Sequence, residues 1–559
     1  MAAVGGQRRL RLIGTCVVLA LLAACGVAEP RADSRSQRDP ETRTSEPTVE
    51  AGRSGARTGG GLVAAAVSDA VSFHPYKVTD AQSRAYQGLV YAGSLLTPNP
   101  FEPNQQRPEM AESWSLADDR VTYTFRLRPD LRWSDGYPIT SADYKWTFEQ
   151  ARNPDNGFPY LANLKTIVSY EAPDPLTLVV TLEEPLVVGL ENVDAIVPLP
   201  KHVWERYDWN DPQRNPEILA PTVVSGPFKL KEWQRDSHAI FVANDLYFKG
   251  RPNLDSYTIQ IVPNAQIAFQ KLRAGEVDRA AFEPEYYEQA KRLDHVTVYE
   301  WWPARARWSF LGFNLRRAPL QDVNVRRALA YAIDRDLIIE RIQLGLARPT
   351  YSAFPPTCWC YNPDVPRYDY DPARAKQLLA QAGWTPGPDG ILTKDGQRLK
   401  LRILYGPNTS KVRERIGAVA QEEFRKVGVE AELQGLEWAA FLDATSSPPF
   451  DWDLVVLGWN STIDPHWSYQ IWSESTIPKL NMGGYVNKRV EELFALGSRE
   501  FDPEQRKKIY QEIQRIIAED EPYIFLTVDK AFGGVSNRIG GIEVAPVGID
   551  YNIEKWYVK

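Results

Sequence analysis

Residues 313–335, FNLRRAPLQDVNVRRALAYAIDR, decide how the rest of the chain is interpreted. An apolar run ends at Phe313-Asn314, and a loop follows around Pro319, because proline and the residue before it disfavour helix. Asp322 then offers the side-chain oxygen that caps a helix. Apolar residues recur at i, i+3, i+4 and i+7 and leave the arginines at 326, 327 and 335 off the stripe: Val325, Ala328, Leu329 and Ala332. The stretch therefore predicts a strand, a loop and an amphipathic helix that begins a second hydrophobic core.

The chain on both sides of this stretch alternates predicted strands and helices. Residues 121–127 alternate apolar and polar side chains, as a half-buried strand does, and Thr140 with Asp143 has capping-box spacing. About 500 residues of folded composition are too many for one hydrophobic core. We therefore predict an α/β protein of two lobes, with lobe I at 62–312 and 524–559 and lobe II at 313–523. The chain is expected to cross between the lobes near 313–314 and 523–528.

The first 24 residues have the composition of a secretory signal peptide. Three arginines precede an apolar run at 12–24 that is too short to span a bilayer. The run ends in LAAC at 22–25, which looks like the lipobox of bacterial lipoproteins, so we predict that Cys25 is diacylated and becomes the N-terminus. Two acyl chains hold a protein on a membrane, since each buried methylene contributes about 0.8 kcal/mol. Residues 25–61 are predicted to be a disordered tether, which places the protein outside the cytoplasm on the membrane surface.

Charge and metal-ligand composition argue against two kinds of partner. The formal net charge of −7 becomes −10 once residues 1–24, with three arginines and no acid, are removed, which argues against nucleic acid. Every histidine stands alone, outside any motif of metal-ligand spacing, so no metal and no other cofactor is expected: His74, His202, His238, His295 and His466. Two cysteines remain after the lipobox, and their spacing allows Cys358 and Cys360 to close a small disulfide loop in an oxidising compartment.

The sequence contains no P-loop and no GxSxG elbow. Glu283 and Glu285 have the composition of a glycosidase carboxylate pair, and Cys358 that of a nucleophile, which leaves a secreted glycosidase or peptidase as an alternative. Acids on both sides of Pro284 are more typical of a solvated turn, and the second cysteine at 360 favours a structural or redox role. We therefore predict a binding protein and not an enzyme.

Four stretches resemble the family 5 solute-binding proteins of ABC importers, which carry peptides, dipeptides, nickel chelates and some oligosaccharides. They are the stretch at 313–335, YTFRLRPDLRWSDGYPITSADYKWTFEQAR at 123–152, SGPFKL at 225–230 and YDPARAKQLLAQAGW at 370–384. The resemblance implies a two-lobed periplasmic-binding-protein-like fold of type II, with an extra subdomain of lobe I at 106–219. It also implies a monomer that holds its ligand between the lobes and delivers it to a permease and its ATPase. A sensor that reports its ligand to a kinase has the same features, so both roles stay open.

The loop after the predicted strand at 452–457 is the predicted ligand contact, because α/β proteins place ligands at strand ends. It reads GWNSTIDP at 458–465. In peptide-binding members the similar loop carries an aspartate that pairs with the α-ammonium of the peptide. That position falls at about Ser461 in this chain, where no charge is present. The predicted contacts in the loop are Trp459, Asn460, Ser461, Thr462 and Asp464.

The substrate class stays open between two alternatives. Peptide transport is the commonest role in the family and is our first prediction. The 17 tryptophans and 26 tyrosines favour an oligosaccharide as the alternative, because sugar faces stack on aromatic rings. The aromatic residues predicted to provide such stacking are Trp459, Tyr485, Tyr91, Trp308 and Phe310.

Overall fold

The structure, a computed structural model, describes residues 58–406 and 411–559. The predicted signal peptide, Cys25, the tether up to residue 57 and the helix start predicted at Ser410 lie outside these residues. Folded structure begins slightly earlier than predicted. The Gly59 N–H donates to the Asn253 carbonyl at 2.8 Å, and the first strand begins at Gly61.

The strands of the described residues are short, and most of them belong to three sheets. In chain order they are β1 (Gly61–Ala66), β2 (Leu96–Pro98), β3 (Gln106–Pro108), β4 (Ala111–Leu116), β5 (Thr122–Leu127), β6 (Ile167–Asp174), β7 (Thr177–Leu182), β8 (Phe228–Gln234), β9 (His238–Ala243), β10 (Ser256–Ile261), β11 (Arg279–Ala280), β12 (Val296–Trp301), β13 (Arg307–Phe313), β14 (Ala347–Pro349), β15 (Thr385–Pro386), β16 (Leu392–Lys394), β17 (Gln397–Arg398), β18 (Lys400–Tyr405), β19 (Glu430–Gly435), β20 (Leu454–Asn460), β21 (Tyr523–Asp529), β22 (Ala531–Ser536), β23 (Ile539–Gly540) and β24 (Tyr557–Val558).

Helices lie in about half of the connections between these strands. The α-helices are α1 (Ala81–Val90), α2 (Ser141–Arg152), α3 (Leu161–Leu164), α4 (Gly189–Val193), α5 (Lys201–Trp204), α6 (Ala265–Ala274), α7 (Tyr287–Ala290), α8 (Ala318–Gln321), α9 (Val323–Tyr331), α10 (Arg335–Arg341), α11 (Pro372–Gln381), α12 (Val412–Lys426), α13 (Trp438–Ser446), α14 (Tyr469–Trp472), α15 (Lys488–Gly497) and α16 (Pro503–Asp520). Short 3-10 helices lie at Pro154–Asn156, Pro216–Ile218, Pro284–Tyr286, Pro465–Ser468, Glu474–Thr476 and Asp550–Lys555.

Lobe I is built on a seven-stranded sheet in the order β12-β22-β11-β1-β10-β9-β8. β1 lies in the middle and pairs in parallel with β10 and β11, so the carboxyl ends of these three strands share one edge. One face of the sheet packs against α1 in a core that includes Tyr86 and Phe228. The other face packs against α6, where Phe269 and Leu272 are buried.

A four-stranded antiparallel sheet, β4-β5-β7-β6, lies within the range predicted for the lobe I subdomain. α2 covers this sheet and buries Tyr144 and Phe148 in the same core as Phe125. Thr140 and Asp143 form the predicted capping box at the start of α2. The alternation at 121–127 is therefore the pattern of a strand with one face against a helix.

Lobe II is built on a six-stranded sheet in the order β14-β21-β13-β20-β18-β19. Its central strands are apolar at nearly every position because the sheet is covered on both faces. Leu311 and Phe313 pack with residues of α9 and α12 on one face. Trp308 and Phe310 pack with residues of α16 on the other.

The chain crosses between the lobes at places that differ from the prediction. β12 belongs to the lobe I sheet and β13 to the lobe II sheet, so the first crossing is at 302–306. β21 and β22 lie in different sheets and are separated only by Lys530, which is the second crossing. The boundaries predicted at 313 and 523 were placed wrongly, since β13 and β21 pair with each other inside lobe II. An apolar strand carries no local signal of which buried sheet it joins.

The organising stretch contains the predicted helix, α9, which Asp322 caps by accepting from the Asn324 N–H at 2.8 Å. Two of the three arginines off the apolar stripe, Arg326 and Arg335, are buried all the same. Arg326 donates to the Glu521 carbonyl at 3.0 Å, at the end of α16, and Arg335 donates to the Phe525 carbonyl at 2.7 Å. A guanidinium has five donors, so Arg326 satisfies carbonyls that the end of α16 leaves unpaired, while Arg335 reaches a carbonyl of β21. They tie the start of lobe II to its last strand.

Cys358 and Cys360 are joined in a disulfide bond, as their spacing allowed. Trp359 between them stands edge-on to Tyr510 of α16, with 6.2 Å between the ring centroids. Cys360 is fully buried. The closed loop therefore packs as a unit against α16.

Candidate functional site: the cleft between the lobes

The loop after β20 lies beside the first crossing of the chain, where the lobes meet. The Ser461 N–H donates to the Ala306 carbonyl at 2.8 Å. Asn460 is exposed, and Trp459, Ser461 and Thr462 are partly exposed. The Ser461 hydroxyl oxygen is buried and has no hydrogen-bond partner within residues 58–406 and 411–559. Trp459 and Asn460 are the last residues of β20 and do not lie in the predicted loop. Ser461 and Thr462 follow them, so these four predicted contacts lie next to the first crossing.

Within residues 58–406 and 411–559, β20 lacks a partner strand on its β18 side beyond Val456. β13 pairs with β20 along its whole length, whereas β18 pairs with it only from Leu454 to Val456. Alternate backbone groups at 457–460 therefore face an edge where the described chain provides no strand. Such an edge accepts an extended peptide through main-chain hydrogen bonds.

Asp464, the fifth loop residue predicted to contact ligand, is committed to the protein interior. Its two carboxylate oxygens accept from Arg506 of α16 at 2.6 and 2.8 Å, and one also accepts from the His466 N–H. Burial acts to raise the pKa of this carboxyl, but the Arg506 charge and these hydrogen bonds bring it below its usual value. We therefore correct its role from ligand contact to anchor of the loop.

Four of the five aromatic residues predicted to stack on a ligand lie in the hydrophobic cores. Tyr91, Trp308, Phe310 and Tyr485 are at most 4% exposed. Phe310 stacks on Tyr523 with 4.2 Å between centroids, and the Tyr485 hydroxyl donates to Asp520 at 2.7 Å. Only Trp459 remains partly exposed. Residue type alone does not distinguish a core aromatic residue from a ligand contact, since an aromatic side chain packs equally well in a core or in the wall of a ligand site.

Three charged residues that the sequence did not single out come together near this loop. Arg305 lies in the first crossing, Arg84 on α1 and Glu191 on α4. Burial lowers the pKa of Arg305, the Glu191 charge raises it and the Arg84 charge lowers it. Glu191 also accepts from the Trp467 indole N–H, which belongs to lobe II. Arg84 and Glu191 are 221 and 114 positions away from Arg305, so the local sequence carries no signal of this cluster.

A cavity of about 160 Å³ lies where both lobes approach the second crossing. It is lined by Glu283, Pro284, Arg307, Ser309, Gln343, Leu346, Val412, Arg413, Ile416, Leu457, Asp529, Lys530 and Phe532. Arg413 stacks on Trp438, and burial together with the Arg307 charge lowers its pKa to about 10. Glu285, the second member of the carboxylate pair noted in the sequence, accepts a hydrogen bond from Arg415 of lobe II at 2.9 Å.

Asp529 gives this cavity a dependence on pH. Its carboxylate accepts from the Gln343 amide at 2.8 Å and lies 3.9 Å from the Arg307 guanidinium. Burial raises its pKa from 3.8 to about 6 against the effect of Arg307. The folded protein therefore holds this proton more tightly than the unfolded chain does. The resulting stabilisation is fully present below the unfolded pKa and is lost as the pH rises through about 6.

We expect Asp529→Asn to flatten this part of the pH profile of the free energy of unfolding. Urea unfolding between about pH 4 and about pH 8 measures it. Glu422→Gln, which replaces an exposed carboxylate on α12, is the matched control and should leave the profile unchanged. Identical profiles for Asp529→Asn and the unsubstituted protein would contradict the assignment.

A second set of contacts joins the lobes away from the crossings. The Val187 N–H donates to the Ser498 carbonyl at 2.8 Å, and Arg499 pairs with Glu184 at 2.8 Å. Leu186 and Val188 of lobe I pack against Trp467 of lobe II. The lobes therefore contact each other at a second place, away from the crossings.

Lobe I has a further cavity of about 380 Å³ between α1 and its sheet. Its walls are mostly small or apolar: Ala64, Ala65, Ala66, Gln82, Ala85, Gly88, Leu89, Tyr257, Ile259, Arg279, Ala281, Asp550 and Ile553. A Cβ added at Gly88 would meet no atom within 4 Å. Small side chains therefore leave this space open.

Within residues 58–406 and 411–559, no group of three or more His, Cys, Asp or Glu side chains is arranged to hold a metal ion. In the same residues, no helix combines the length and the apolar character needed to cross a membrane.

The family described as "Bacterial extracellular solute-binding proteins, family 5 Middle" matches residues 105–479. The chain belongs to this family. The oligopeptide-binding protein AppA of Bacillus subtilis (strain 168) is 30% identical over 506 residues, which cover 89% of this chain and 92% of AppA. The dipeptide-binding protein of Escherichia coli (strain K12) is 26% identical, over 79% of this chain and 84% of its own length.

A solved family structure confirms the two-lobed fold. It is the oligopeptide-binding protein AppA from Bacillus subtilis in complex with a nonapeptide, with a TM-score of 0.74 and 29% identity. The match covers 90% of this chain and 100% of the AppA chain. Family 5 is a family of solute-binding proteins, and the fold predicted from the four sequence stretches is therefore confirmed.

Proposed function

We propose that the protein is a receptor of an ABC importer that captures a peptide-like solute between its lobes and delivers it to a membrane permease. The open edge of β20 at 457–460 carries the proposal. Main-chain hydrogen bonds along such an edge hold an extended peptide whatever its side chains are. The similarity to an oligopeptide-binding and a dipeptide-binding protein supports the same substrate class.

The burial of the aromatic residues favours peptides over oligosaccharides. Sugar binding would need several exposed rings, and of the five predicted ones only Trp459 is partly exposed. Oligosaccharide binding therefore becomes an outcome of the test and not a second proposal.

Thermal unfolding of the purified protein with and without ligand tests the substrate class. Tri- to pentapeptides are expected to raise the melting temperature, because a ligand at a hundred times its dissociation constant adds about 2.7 kcal/mol of stability. Neutral oligosaccharides of similar size should leave it unchanged. Stabilisation by the oligosaccharides alone would refute the peptide assignment.

The same peptides with an acetylated N-terminus are expected to bind at least as well. Asn460, Ser461 and Thr462 offer no charge to an α-ammonium group. A large loss of affinity on acetylation would show that a carboxylate elsewhere binds the amine.

The proposal includes anchoring through a diacylated Cys25 and excludes turnover of the ligand. Labelled fatty acid should be incorporated into the unsubstituted protein and not into Cys25→Ala. Labelling that persists in Cys25→Ala would contradict acylation at Cys25. Cleavage of a peptide during incubation with the protein would revive the enzyme alternative.

A further inference from the structure

The charge at the Ser461 end of the cleft is positive. Arg305 is only partly exposed, and within residues 58–406 and 411–559 it has no carboxylate oxygen within 4.0 Å. Removing a guanidinium from water without pairing it is unfavourable. The protein thus holds a cation next to the proposed ligand loop without a close counter-ion.

The neighbours of Arg305 do not balance this charge. Arg84 is a second cation, which donates to the Tyr160 hydroxyl at 3.0 Å and whose Nε has no hydrogen-bond partner in the described chain. The Glu191 charge raises the pKa of Arg305 and the Arg84 charge lowers it, and Glu191 also accepts from the Trp467 indole N–H. Two guanidinium groups against one carboxylate leave a net positive charge at this end of the cleft.

The uncharged loop does not offset this charge. The Ala306 carbonyl accepts from the Ser461 N–H. Because Ala306 directly follows Arg305, this hydrogen bond holds the Arg305 backbone close to Ser461. The buried Ser461 hydroxyl has no partner in the described residues and offers a donor to an anionic oxygen. Asn460 adds an exposed amide.

We propose that this end of the cleft binds a carboxylate of the solute, with Arg305 as the residue that selects it. The proposal rests on the proposed function and specifies its ligand. A guanidinium and a carboxylate form short, charge-assisted and often bidentate hydrogen bonds. An α-ammonium group at the same place would be repelled by two arginines.

A series of peptides that differ only at the N-terminus tests the charge. Tri-alanine with a free, an acetylated or a succinylated N-terminus presents a cation, a neutral group or a carboxylate. Each is used with a free and with an amidated C-terminus, so that a carboxylate bound from the other end of the peptide is distinguished. Titration calorimetry of the unsubstituted protein should show the succinylated peptide binding at least about tenfold more tightly than the acetylated one. If only the free C-terminus matters, the bound carboxylate is the C-terminal one.

Substitutions at Arg305 test its role. Arg305→Gln should abolish the preference for a carboxylate, and Arg305→Glu should reverse it in favour of the free amine. Arg84→Gln removes the nearby cation on α1 and should weaken the preference for a carboxylate. This variant replaces an Arg305 variant that does not fold. Arg374→Gln on the exposed surface of α11 is the matched control and should keep the preference. Melting temperatures of the ligand-free variants verify folding.

Equal binding of the acetylated and succinylated peptides with no loss on C-terminal amidation, or a carboxylate preference that survives in Arg305→Gln, would overturn the inference and leave peptide binding intact. If no peptide of the series binds, both the inference and the proposed function fall.

Discussion

Arg506→Met is expected to lower the free energy of unfolding by about 3–5 kcal/mol, because it leaves the Asp464 carboxylate buried without its partner. The two side chains are 4% and 0% exposed and are joined by bonds of 2.6 and 2.8 Å. Arg506 also donates to the Gly497 carbonyl at 2.8 Å, which links α15 to the same group. The substitution therefore removes the anchor of the loop that carries Trp459 to Thr462.

The double variant Asp464→Leu/Arg506→Met separates the ion pair from the packing. Replacing a buried pair by apolar side chains of similar volume is often close to neutral, so most of the stability should return. Urea unfolding of the two single variants and the double variant measures the coupling. A double variant as unstable as the sum of the single ones would show that the residues act independently and would contradict the assignment.

The loss in Arg506→Met should also depend on pH. Without Arg506, burial raises the pKa of Asp464 instead of leaving it lowered. A protonated carboxyl costs less to bury than a charged one. The destabilisation is therefore expected to be larger at neutral pH than in acid, and the same unfolding curves at the two pH values test it.

Gly226→Ala is expected to destabilise the protein by about 1–3 kcal/mol or more, since overpacking a filled site shifts the backbone. Gly226 lies in the stretch SGPFKL, and its N–H donates to the Val90 carbonyl at the end of α1 at 2.8 Å. A Cβ at this position would lie 2.6 Å from Val90 C, 2.7 Å from Leu89 O and 2.8 Å from Tyr91 N. All three are backbone atoms, which a side-chain rotation cannot move aside.

Gly88→Ala is the matched control for the same change in a different place. Gly88 lies inside α1, and an added Cβ would meet nothing within 4 Å. Alanine is more favourable than glycine in a helix interior by about 0.8–1.0 kcal/mol, so this variant should gain stability. Thermal unfolding without ligand compares the two. Equal melting temperatures would mean that the close approach of Gly226 to α1 does not constrain the fold.

The local elements could be predicted from the sequence because their causes are local. The cap at Asp322 and the capping box at Thr140 depend on residues within one helical turn. The alternation at 121–127 depends on which side chains face a buried surface. The α/β class followed from the order of such elements and the family from the four stretches that resemble it, and both are confirmed.

Local sequence patterns were enough to predict the elements and their order. Tertiary packing alone placed β13 and β21 in the lobe II sheet, paired Asp464 with Arg506 and buried four aromatic residues in the cores. It also placed Arg305 near Glu191, which is 114 residues away in the chain. The physical reason is the range of each interaction. A cap or an apolar stripe is complete within a few residues, whereas an ion pair, a sheet neighbour or a buried face exists only once distant segments have packed together.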